Sequence, residues 1–150
     1  MKNINPITKE LIAPCGMNCA VCSRYLAYIN DLKHSQCPGC RPRNKACGYL
    51  FAKCTGVNHD IKFRDTVFCF ECEQFPCKQL KRMDDRYRKN YGMSEIKNLE
   101  YIRLHGIESF MEDEYQKHRC ERCGGLISTH NGKCFQCDEV TRLIEKVEGR

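Results

Sequence analysis

Residues 14–22 read Pro14-Cys15-Gly16-Met17-Asn18-Cys19-Ala20-Val21-Cys22, a C-x3-C-x2-C spacing. Thiols this close together serve a metal site, an iron–sulfur cluster or a disulfide framework. The choice among them sets the fold class. The surrounding chain has 150 residues, of which 14 are cysteine and none is tryptophan. With the cysteines set aside, apolar side chains supply only about a third of it, so cross-links are expected to carry part of the stability.

Metal is expected over disulfides. The opening MKNINPITKELIAP has no apolar run of signal-peptide length, because Pro6, Lys9 and Glu10 interrupt it. No stretch approaches the roughly 18–20 apolar residues of a membrane span. The expected compartment is therefore the cytoplasm, where thiols stay reduced or bind metal. Five C-x2-C pairs agree: Cys19/Cys22, Cys37/Cys40, Cys69/Cys72, Cys120/Cys123 and Cys134/Cys137. That spacing lets two thiolates converge on one ion. The formal charge of +6 then loses its force as a sign of nucleic-acid binding. About three zinc ions, each held by four thiolates, would bring the net charge close to zero.

The cysteines are unevenly spread. Ten lie from Cys15 to Cys77 and four from Cys120 to Cys137, with none between. The expected architecture is a small, metal-stabilised α+β protein. It comprises a cysteine-rich metal-binding domain over residues 12–92, a helical connector over 93–118, a zinc ribbon over 119–138 and a terminal helix over 139–150. Val21, Tyr25, Tyr28, Ile29 and Leu32 recur on one face of a helix starting near Cys19 and ending before His34. A second helix is expected from Pro76, with Leu80, Met83, Tyr87 and Tyr91 inward and Gly92 as its stop. Ser94 reads as the N-cap of Glu95–His105, stopped by Gly106, and another helix follows over 107–117. Residues 139–147 look helical. Strand signals are weak: Thr66–Phe68 and two arms around Cys120–Cys137.

The C-terminal cysteines give the most specific pattern, C-x2-C-x10-C-x2-C through Cys120, Cys123, Cys134 and Cys137. Two knuckles at this separation read as a zinc ribbon. Rubredoxin-type iron uses the same ligands, and zinc is favoured. Gly124 suits the positive φ that follows a knuckle's second cysteine. Asn131-Gly132 predicts a type I′ hairpin turn. His130, beside it, reads as a solvated turn residue.

The N-terminal set is Cys15, Cys19, Cys22, Cys37, Cys40, Cys47, Cys54, Cys69, Cys72 and Cys77. Two zinc ions take eight of these. A third would need His34, His59 or shared sulfurs, and otherwise one or two cysteines are simply buried. Two metals are expected here, with Cys15, Cys19 and Cys22 serving one of them; spacing leaves the remaining pairings open. The opening spacing is also that of radical-SAM enzymes. Those carry an aromatic residue where Val21 stands and need a β/α barrel for which this chain has no room. An ordinary iron–sulfur cluster stays open as an alternative, making the protein a redox or metal-handling one. Cys37, Cys40, Cys47 and Cys54, with Arg41, Arg43 and Lys45 between them, resemble half of a fungal binuclear zinc module; its second half is missing. Lys78, Lys81, Arg82, Arg86, Arg88 and Lys89 form a basic run interleaved with Tyr87 and Tyr91. It reads as a solvated helix face, with a nucleic-acid-binding regulator as the alternative.

Together APCGMNCAVC, CPGCR, FCFECEQFPC, the stretch NLEYIRLHGIESFMEDE and RCERCGG…GKCFQC resemble one prokaryotic cysteine-rich family, known as domain of unknown function thirty-seven ninety-five. The resemblance covers about residues 12–138. It implies a metal-binding, zinc-containing protein of bacterial or archaeal origin and supplies no activity. No catalytic set is legible: there is no phosphate-cradling glycine loop, nucleophile elbow or H-E-x-x-H pair. The expectation is a cytoplasmic protein with structural zinc, acting on a macromolecular partner, protein rather than nucleic acid, and not on a membrane.

Overall fold

The computed structural model describes residues 6–32, 36–39 and 68–145. Cys40, Cys47, Cys54, His34, His59, the Arg41–Lys45 loop and the strand signal at Thr66-Val67 lie outside the described residues.

The opening stretch folds tightly on itself. Ala13 N donates to Met17 O and Gly16 N to Ala13 O, both at 2.9 Å. Gly16 sits at φ 89°, where a Cβ would meet Glu95 O at 2.6 Å. Only glycine lets the loop approach that helix so closely. Cys19–Val21 then form a 3₁₀ turn, capped by the Asn18 side chain, which accepts from Ala20 N. The first helix, α1, spans Ser23–Ile29. The helix expected from Cys19 thus arrives in two pieces, because Cys22 N bonds back to Cys19 O and closes the tighter turn first.

The remaining helices follow the local signals. α2 spans Lys78–Tyr91, with Leu80 and Met83 buried and Gly92 closing it at φ 68°. It starts two residues after Pro76, with Cys77 as its cap; the thiol accepts from Leu80 N at 3.5 Å. α3 spans Glu95–His105, its first turn capped by Ser94. Gly106, at φ 89°, turns the chain into α4, Ile107–His118. α3 packs against α2 on one side and α4 on the other. Leu80, Met83, Leu99, Ile102 and Phe110 meet Ile12, Val21 and Leu26 in one core, which Leu126 and Phe135 extend. Buried polar atoms tie it together. Asp84 accepts from Ser94 Oγ at 2.6 Å and Ile96 N at 3.0 Å. Asn18 Nδ2 donates to Glu114 at 3.2 Å.

Two expectations are corrected. Among the described residues the β component is reduced to three isolated antiparallel bridges, Ile12 with Asn18, Arg119 with Leu126 and Ile127 with Cys134. The knuckles consume the residues that strand arms would need. The terminal helix does not form over its described part, residues 139–145. There the chain crosses the loop before Cys134: Asn131 Nδ2 donates to Arg142 O and Glu145 N to His130 O, each at 2.8 Å. These bonds engage backbone groups that a helical ladder would otherwise use.

Candidate metal centre

α4 delivers the chain to Cys120, and two short turns complete the site. In the first, Gly124 N donates to Cys120 O at 2.7 Å, with Gly124 at φ 77° as its sequence position predicts. In the second, Asp138 N donates to Cys134 O and Asp138 Oδ2 accepts from Cys134 N, both at 2.8 Å. Arg122 reaches across to Asp138 at 2.8 Å and holds the two turns together.

The four sulfurs of Cys120, Cys123, Cys134 and Cys137 lie within 4.8 Å of one another. Cys120 and Cys137 are 4.0 Å apart, Cys123 and Cys134 3.5 Å. A tetrahedral zinc with Zn–S near 2.3 Å has sulfurs about 3.8 Å apart, whereas a disulfide needs about 2.05 Å. The eleven described cysteines are all free of disulfides. The donor set therefore fits a metal ion. Cys120 and Cys134 are buried while Cys123 and Cys137 are exposed, so the centre lies at the surface.

Electrostatics point the same way. Backbone N–H groups of Arg122 and Cys123 aim at the Cys120 sulfur and lower its pKa to about 6. Hydrogen bonding with Cys123, then burial, pushes Cys137 up to about 12. Burial also raises Cys134. One thiolate comes easily and further ones resist, because the remaining thiols share hydrogen bonds with it and with each other and are partly desolvated. A divalent cation would remove that resistance, and four thiolates around it leave no open coordination position.

Of the described N-terminal cysteines, Cys15, Cys19 and Cys69 lie in the shared core, and Cys22, Cys72 and Cys77 pack against it. The Cys69–Glu71 3₁₀ turn repeats the geometry at Cys19, with Cys72 N bonded to Cys69 O. Cys69 N donates to Pro14 O at 2.8 Å, joining the two turns. Cys15, Cys19, Cys37 and Cys69 are buried, and Cys22, Cys72 and Cys77 half-buried. Among the described residues, three or more ligand atoms converge only in the 120–137 tetrad.

His130 requires the main correction. It is 6% exposed and not a solvated turn residue. Its Nδ1 accepts from Ser23 N at 3.3 Å and its Nε2 meets Tyr87 Oη at 2.9 Å. Its ring stands edge-on to both Tyr87 and Tyr91. Burial, with the charge of Arg24, lowers its pKa to about 4, so the imidazole is neutral. The turn differs too. Of its residues Gly132 has positive φ and Asn131 does not, which excludes type I′. Gly132 N bonds instead to Ser128 O, and Asn131 Oδ1 accepts from Lys133 N. The long-range partners of this loop, Val21, Ser23 and Tyr87, explain why a wider turn wins.

On α2, Lys78, Lys81, Arg82 and Arg86 are exposed, while Arg88 and Lys89 pair with Asp84 and Asp85. No described helix is long and apolar enough to cross a membrane. No curated protein and no solved structure matches the chain significantly. Residues 11–82, which carry Cys15 to Cys77 and the start of α2, match the family model described as "Protein of unknown function (DUF3795)".

Proposed function

We propose that the protein is a zinc-binding structural protein that works by presenting its surface to a macromolecular partner. The observation that carries this is the tetrad Cys120, Cys123, Cys134 and Cys137, with sulfurs spaced near the edge of a tetrahedral zinc site. Four thiolates around one ion leave no position for a substrate, which favours a structural role over a catalytic one. Such a site contributes on the order of 10 kcal/mol, comparable to the whole net stability of a small domain. In this reading Cys15, Cys19 and Cys22, with cysteines from Cys37 to Cys77, hold about two further zinc ions. A protein partner fits better than nucleic acid, because metal-bound thiolates cancel most of the formal charge of +6.

The test is elemental analysis and a visible spectrum of protein purified anaerobically without added metal. A colourless protein carrying zinc is expected. Iron and inorganic sulfide with visible charge-transfer absorption would overturn the reading in favour of a redox protein.

A further inference from the structure

Ser128, Thr129, His130 and Asn131 form the tip of the tetrad unit, yet they are only 2%, 6%, 6% and 5% exposed. The tip inserts beside the first C-x2-C pair. Thr129 N donates to Val21 O at 2.8 Å. Ser23 N donates to His130 Nδ1 at 3.3 Å, and the Ser23 and Ser128 hydroxyls are 2.6 Å apart. Val21 and Ser23 are the residues on either side of Cys22, so the tip grips the backbone on both flanks of that cysteine. Because Nδ1 accepts, the imidazole proton sits on Nε2 and is donated to Tyr87 Oη on α2.

The tip closes on itself through Gly132 N to Ser128 O and Lys133 N to Asn131 Oδ1, and its base joins it to the tetrad. Its base consists of the Ile127–Cys134 bridge and the Ser128 N to Lys133 O bond, at 2.9 Å, next to a sulfur ligand. A unit this short, with so little hydrogen-bonded ladder, depends on its metal for order. We infer that the Ser128–Asn131 tip couples the tetrad to the N-terminal cysteine domain. Metal at Cys120, Cys123, Cys134 and Cys137 thereby controls how firmly the Val21–Ser23 backbone holds Cys22, itself a ligand in the proposed N-terminal zinc set, and so how readily Cys22 is alkylated. The inference rests on metal binding at the tetrad as proposed above. Linkage is reciprocal: docking of the tip must raise the affinity of the tetrad for its ion, although His130 is not a ligand.

The experiment uses the full chain with zinc alone as the probe, and zinc stoichiometry is measured first. The variant Cys123→Ser with Cys137→Ser removes two exposed ligands and leaves the buried sulfurs in place; it should bind one ion fewer. Alkylation of Cys22, resolved by peptide mass spectrometry, is expected to be roughly tenfold faster in this variant, within the usual range of coupling between sites. In the opposite direction, His130→Phe keeps an aromatic ring between Tyr87 and Tyr91 and deletes both nitrogens. It should weaken zinc binding at the tetrad by a similar factor against a competing chelator. Ser23→Ala, which removes only the hydroxyl contact with Ser128, should do so more mildly. Equal Cys22 rates in the wild type and the double variant, with the predicted loss of one ion, overturn the coupling alone. Equal zinc content in the two overturns it together with the proposed tetrad site.

Discussion

Glu95 is the residue whose environment conflicts most with its chemistry. It is 0% exposed, and among the described residues neither carboxylate oxygen has a hydrogen-bond partner beyond a weak approach to its own backbone N–H. Burial, reinforced by the nearby negative charge of Asp84, raises its pKa to about 8. A carboxyl raised above its unfolded value holds its proton in the folded state while the unfolded chain releases it. Its contribution to stability is therefore best below about pH 4.5 and worsens until the pH passes about 8, then levels off. Glu95→Gln removes this ionisation. Relative to wild type, it should be more stable by on the order of a few kcal/mol at pH 9 and nearly equal near pH 4. Urea midpoints at the two pH values check it; a difference that does not change with pH would sink the assignment. Glu114 shows the contrast. Burial pushes it up as well, but hydrogen bonds from His118 and Asn18 and the charge of Lys117 outweigh burial, and its pKa is lowered.

At the scale of elements, what could be read in advance was what neighbours in the chain decide. Ser94, Gly92 and Gly106 end or begin helices through bonds spanning three to five residues, and all three stand where the spacing put them. The tetrad was legible for the same reason, since each knuckle is a local turn. The buried tip was not. The bonds from His130 reach Ser23 and Tyr87, 107 and 43 residues away, and no short window contains that information. The lack of a helix over residues 139–145 has the same origin, for Arg142 and Glu145 bond to the tip. Gly16 combines both kinds of constraint. It needs positive φ, which a local turn explains, and it also lies against α3. An alanine Cβ there would stand 2.6 Å from Glu95 O and 2.9 Å from Leu99 Cγ. Gly16→Ala should cost about 3 kcal/mol, strain and overpacking together. Gly124→Ala, also at positive φ but with nothing within 4 Å, should cost about 1 kcal/mol. Similar losses at the two positions, measured by urea unfolding, would refute the close packing of the opening loop on α3.

For the whole molecule, the tetrad unit and the helices share one core, because Leu126 and Phe135 pack into the same cluster as Leu80, Leu99 and Phe110. Metal at the tetrad should therefore stabilise the assembled fold and not only the segment that binds it. An ion that binds the folded state and not the unfolded one adds RT ln(1 + [L]/Kd), about 1.4 kcal/mol for each tenfold rise in free ion once the site is saturated. Any ion held by the N-terminal cysteines would add a slope of its own, so the comparison must isolate the tetrad. Cys120→Ser with Cys134→Ser deletes one sulfur from each knuckle. The difference in unfolding free energy between wild type and this variant should then grow by about 1.4 kcal/mol per tenfold increase in buffered free zinc. Helical circular dichroism at 222 nm, which reports α2, α3 and α4, is the right signal, since none of these helices contains a tetrad ligand. A growing difference in that signal means that the metal energy reaches the helices through the shared core. A constant difference would mean that the tetrad holds only its own loops, and that the contacts of Leu126 and Phe135 with the core carry no linkage to the ion.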